Sequence, residues 1–173
     1  MAEGTKGKST LVIVLMVVGG ALALVVVIVG VLAALGISGF RSYLSRAKAA
    51  EGQAEVQRLA RGIARCAEGG GVAAASDPTL PPSAPPVPAS LGDVSGRKYM
   101  SSPTDWSQPT YKCASFEISM PQYFQYEWQL TGPGSGKAIA RADLDGDGKV
   151  DQELTSVVTC SGATCSASAP SGR

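Results

Sequence analysis

The segment from Thr10 to Ile37 reads TLVIVLMVVGGALALVVVIVGVLAALGI and carries no charge. A helix rises about 1.5 Å per residue, so roughly twenty apolar residues cross the hydrocarbon of a bilayer. This run exceeds that length. A chain of 173 residues has no core large enough to enclose so long an apolar rod. The run also exceeds the about 7–15 apolar residues of a cleaved signal peptide, and no small-x-small site follows before Arg41. The sequence therefore predicts a retained, single-pass transmembrane helix over residues 10–39 behind a short polar leader, residues 1–9. Membrane lipid is its first partner.

About 130 residues remain, enough for one small domain. The formal net charge is +1, which gives no reason to expect nucleic acid as a partner. The absence of histidine removes the commonest general base and the commonest transition-metal ligand. Four cysteines, Cys66, Cys113, Cys160 and Cys165, include no C-x-x-C pair, which argues against zinc and thioredoxin-like chemistry. An even number beyond a membrane anchor suits disulfides in an oxidising compartment. Lys6 and Lys8 favour a cytoplasmic leader, although Arg41, Arg46 and Lys48 flank the other end. The cysteines and an acidic loop place the bulk of the chain outside.

Past the anchor the hydrophobicity becomes periodic. Gly52, Val56, Leu59, Ile63 and Cys66 form one helical stripe, with Arg58, Arg61, Arg65, Glu51 and Glu55 on other faces. No proline intervenes, so residues 40–68 continue the same helix, about forty to fifty residues long, until Gly69, Gly70 and Gly71 end it. Residues 69–96 are rich in proline and alanine and read as an extended loop wrapping the domain. The head occupies 97–165. Residues 111–120 alternate, as do 122–130, with Phe124, Tyr126, Trp128 and Leu130 on one face. Pro121 between them suggests a hairpin. Lys137–Ala142 and Leu154–Cys160 read as third and fourth strands of an antiparallel sheet. The tail, 166–173, reads as loose. The predicted class is α+β: a long helix packed on a small antiparallel sheet.

This arrangement resembles type IV pilins and type II secretion pseudopilins, most closely over VLAALGISGFRSYLSRAKAAEGQAEVQRL, with Phe40 at the apolar-to-polar junction and Arg46, Lys48 and Glu51 following. The acidic DLDGDG run and the C-terminal cysteine pair are similar too. The resemblance implies a bacterial inner-membrane protein with a periplasmic head. It implies further that other pilin-like subunits are partners, packing helix against helix in a pilus, homo-oligomeric filament or secretion machine. It places leader processing at Gly7-Lys8. The sequence departs from the family there: Lys8 and Ser9 stand where a phenylalanine is usual, and the family's buried glutamate is replaced by apolar residues.

Two features carry local chemistry. Asp143, Asp145, Asp147 and Asp151 recur in a glycine-rich turn, the pattern by which a flexible loop offers several oxygens to calcium. Lys149 would add a backbone carbonyl and Glu153 a further carboxylate. The alternative is an acidic turn stabilised by Asx hydrogen bonds. Of three possible cysteine pairings, Cys160–Cys165 closes a small loop and Cys66–Cys113 ties helix to sheet, and these two are expected. An S-x-x-K run at Ser45–Lys48 has no companion motif and reads as chance. With no nucleophile–base pair in view, an enzyme is not expected. Two functions remain: a pilin-like structural subunit assembling through its helix, or a non-polymerising, calcium-stabilised binding domain on a membrane tether.

Overall fold

The stripe at Val56, Leu59 and Ile63 belongs to a single helix, α1, spanning Lys6–Ala67 over 62 residues. The computed structural model describes residues 6–69 and 79–172, with side chains over 12–35, 47–69 and 79–172. Residues 1–5 of the expected leader, the glycines at 70 and 71, and most of the proline-rich connector's first part lie outside them. Helix α1 is longer than the expected forty to fifty residues and starts at Lys6, four residues before the expected span, because no proline or cap in K-G-K-S interrupts it. Gly69 adopts φ +94°, a conformation glycine takes freely, just past its end.

The chain divides into two units at Leu44/Ser45. In the first, Val12–Leu35 has a mean hydropathy of 3.3 and no part of it is buried by protein. Its 24 residues extend about 36 Å as a helix, long and apolar enough to cross a bilayer.

In the second unit, six antiparallel strands follow: β1 (Ala84–Val87), β2 (Gln125–Gly132), β3 (Ser135–Ala142), β4 (Gln152–Ser161), β5 (Thr164–Ala167) and β6 (Ser171–Gly172). They run β1-β2-β3-β4-β5 across the sheet, and β6 pairs with β4. Strand alternation puts Tyr126 and Trp128 of β2, Ala138 and Ala140 of β3, and Leu154 and Val158 of β4 on one face. These side chains share a core with Val56, Leu59 and Ile63. Burying each large apolar chain contributes about 1.5–3 kcal/mol. Small residues keep the helix close: a Cβ on Gly52 would stand 2.7 Å from the Phe124 ring, and one on Gly62 would overlap the Ala114 carbonyl. One turn beyond Gly62, Cys66 is bonded to Cys113, 47 residues away. On a chain-entropy account, closing such a loop removes about 4 kcal/mol of freedom from the unfolded state.

The structure corrects the strand assignment in four places. Residues 111–120 form no strand. Pro109 opens a short helix, α2 (Pro109–Cys113), at its first position, where a missing N–H costs nothing. Ser115, at φ +51°, closes it, with Ser115 N–H donating to the Lys112 carbonyl and Phe116 N–H to that of Tyr111. Of the expected inward face, Ala114, Phe116 and Ile118 are buried but Met120 is exposed, and the segment is extended and unladdered. The expected hairpin at Pro121 is replaced by an isolated bridge between Tyr99 and Gln122.

The proline-rich connector, expected as plain loop, supplies edge strand β1, A-P-P-V, on β2. Prolines offer carbonyls without N–H groups, so an edge is where they fit. Core side chains donate to those carbonyls: Trp128 Nε1 to Pro81 at 3.0 Å, Thr110 to Pro82 at 2.8 Å, Tyr111 to Pro85 at 2.6 Å and Gln125 to Pro88 at 2.8 Å. The tail is not loose either: Ser168 exchanges hydrogen bonds with Val157, and β6 completes the pairing. Leu130, expected on the core face, is 37% exposed.

Glu51, at the near end of the seam, accepts the Tyr123 N–H at 2.8 Å. Burial raises its pKa, and the hydrogen bond only partly opposes this. A carboxyl raised in the fold favours folding while protonated and costs stability as pH rises through and above its unfolded value. Glu51→Gln keeps an acceptor and loses the charge. Denaturant titrations of the full chain in detergent should show the variant gaining on the parent between pH 4 and pH 7. A constant difference would contradict this.

Candidate functional site

The β3–β4 connection, residues 143–151, holds the acidic cluster. Asp151 N–H donates to the Ala142 carbonyl at 2.9 Å and closes the hairpin. Gly146 and Gly148, at φ +84° and +86°, supply the two left-handed bends the turn requires. Carboxylates organise what lies between. Asp143 Oδ1 accepts the Gly146 N–H at 2.7 Å. Its Oδ2 accepts the Gly148 N–H at 2.9 Å and the Ser95 hydroxyl at 2.6 Å. Asp151 Oδ2 accepts the N–H groups of Leu144, at 2.6 Å, and Asp145, at 3.1 Å. Asp145 and Asp147 each accept the N–H two residues on, forming consecutive Asx turns.

Asp143 has no exposed surface. The Ser95 hydroxyl, and then the two backbone N–H groups, hold its carboxyl below the usual range despite burial. A buried, ionised aspartate beside two exposed ones concentrates negative charge at one point.

Carboxylate oxygens of Asp143, Asp145 and Asp151 lie within 4.8 Å of one another. Oxygens on opposite sides of a calcium ion are about 4.6–5.2 Å apart, given metal–oxygen distances near 2.3–2.6 Å. A carboxylate has about four lone-pair directions, so even Asp143, with three donors on it, retains acceptor capacity. The donor set is all oxygen, as a hard cation requires. The three residues could therefore hold calcium or a similar ion, with carbonyls or water completing the shell.

Of the other acids expected at this site, Asp147 and Glu153 are not among the three. Asp147 faces Lys149 Nζ at 3.5 Å, and Lys149 N–H is taken by Asp147. Glu153 sits on β4 opposite Arg141, paired with its guanidinium at 2.9 Å. Arg141 also pairs with Glu127 at 2.5 Å. Ser95, by contrast, is part of the site and has no signal in the sequence, since it lies 48 positions before its partner. Of the S-x-x-K run, Lys48 reaches the Leu144 carbonyl at 3.5 Å and lies over the Tyr123 ring. The second disulfide, Cys160–Cys165, joins directly opposed residues of β4 and β5. Cys113, expected on a strand, is the last residue of α2. At the expected processing position, Gly7 and Lys8 lie within α1.

Compared with known proteins, the chain matches no family model, no curated protein and no solved structure.

Proposed function

We propose that this protein is a membrane-anchored, pilin-like structural subunit that assembles through its N-terminal helix. The observation that carries the reading is α1 itself. Its stretch Val12–Leu35 is covered by no protein, while Val56, Leu59 and Ile63 are fully enclosed in the head's core. So long an exposed apolar surface needs lipid or the helices of other subunits around it. Would-be Cβ positions at Gly19, Gly20 and Gly30 meet nothing within 4 Å, which leaves room for close helix packing. In this reading the helix is inserted in a bacterial inner membrane with the head on the periplasmic side, where both disulfides persist. Calcium on Asp143, Asp145 and Asp151 pins the β3–β4 loop. The missing family glutamate favours the second reading, in which the same head works on a permanent tether without polymerising.

The intact mass of the protein from native membranes and from sheared surface material separates the two. The subunit reading expects a sheared fraction whose mass lacks residues 1–7. A full-length mass confined to the membrane fraction would leave only the tether.

The calcium assignment has its own check, thermal unfolding of the full chain in detergent. Calcium at about one hundred times its Kd should stabilise the head by about 2.7 kcal/mol over chelator. Asp151→Asn should abolish most of that gain. An unchanged unfolding temperature in the parent protein would contradict calcium binding.

A further inference from the structure

Helix α1 carries three arginines beside the sheet's β5 edge, and they are not used alike. Arg58 is tied down: it pairs with Glu55 at 2.6 Å, donates to the Glu117 carbonyl at 2.9 Å and lies over the Phe116 ring. Arg61 and Arg65 are exposed and have no hydrogen-bond or ion-pair partner among the described residues. Like charges four residues apart on a helix repel by a few tenths of a kcal/mol, so the isolated chain holds them at a small cost. Both line a groove of about 730 Å³. Ala54, Ala64 and Ala167, all small, also line it. Glu68, the acid within it, is engaged by Cys165 N–H at 2.7 Å.

The head also carries the complement. Asp145, Asp147 and Asp151 are exposed, on a loop narrowed by Gly146 and Gly148. Lys48 touches this loop at Leu144, so it sits beside residue 48 of the helix. Arg61 and Arg65 lie 13 to 17 residues further on, about 20–25 Å along the axis. Groove and loop of one chain therefore do not meet.

We propose that the arginine groove receives the acidic β3–β4 loop of a second copy of this chain. The two patches differ, so the contact is heterologous and leaves a free groove at one end and a free loop at the other. Repetition then builds an open row rather than a closed pair. The proposal rests on the reading of the chain as an assembling subunit and names the head surfaces that set its register. Charge complementarity of this kind speeds encounter and weakens with salt.

The test measures self-association of the full chain in detergent by sedimentation, with chelator present so that the loop keeps its whole charge. R61E/R65E and D145K/D147K are each compared with the parent protein and with their equal mixture. Either variant alone presents like charges at every head contact, and its apparent Kd should rise at least tenfold. The mixture restores opposite charges at both kinds of contact and should recover parental association. If both variants associate as the parent does, the head contact lies elsewhere and the proposal falls, while assembly through α1 stands. Loss of association in each variant without recovery in the mixture also overturns it. A parent that remains monomeric at every concentration removes both readings. Should D145K/D147K lose its circular-dichroism signature, R61E/R65E alone decides: parental association in it overturns the proposal. Parental association in that variant, with loss only of retention on anionic vesicles, would reassign the groove to lipid headgroups.

Discussion

The second unit depends on one contact, the stripe of Val56, Leu59 and Ile63 against the aromatic face of the sheet. All three side chains are fully buried, as are Phe124, Tyr126 and Trp128 opposite them. A sheet of this size with one face bare would expose a large apolar patch and would be marginal in water. The helix closes that face, and Gly52 lets its backbone come close to Phe124 and Leu154, while Gly62 lies against the Ala114 carbonyl. The Cys66–Cys113 bond lies at the end of the same seam. Sequence, packing and covalent linkage therefore converge on the second half of α1.

That arrangement constrains everything attached to it. Strand β1 has few N–H groups to offer, and the core answers with donors: an indole, a phenol, a threonine hydroxyl and a glutamine amide reach the carbonyls of Pro81 to Pro88. The acidic loop is fixed at both ends of the hairpin and anchored inward by Asp143 on Ser95. Its outer carboxylates are left to solvent, to a cation or to another molecule. The arginines one and two turns beyond Arg58 are left in the same condition. A head held rigid by its core thus presents two oppositely charged surfaces at fixed separation.

Much of this was legible in the residues because it is written in local periods. The stripe at Val56, Leu59 and Ile63 has helical spacing, and Phe124, Tyr126 and Trp128 alternate as a strand does. The Asp-rich turn advertises itself by glycine spacing. What was not legible depends on partners far away in sequence. The burial of Ala114, Phe116 and Ile118 alternates without a strand: all three join the common core, Phe116 edge-on to Trp106 and Ala114 against Gly62 of α1. Nothing local marks A-P-P-V as an edge strand, since the donors to this segment come from 26 or more residues downstream. Glu153 looked like part of the acidic run until the register of β3 and β4 set it opposite Arg141. Ser95 carries no mark at all.

Hydrogen exchange of the full chain in lipid nanodiscs tests the central claim, that the second half of α1 is the core of the head. The account predicts that amides of residues 52–67 exchange as slowly as those of β3, opening only when the whole head unfolds, while the 143–151 loop exchanges faster. Rapid exchange across 52–67 with β2, β3 and β4 still protected would mean that the sheet stands without the helix, and the account would be wrong.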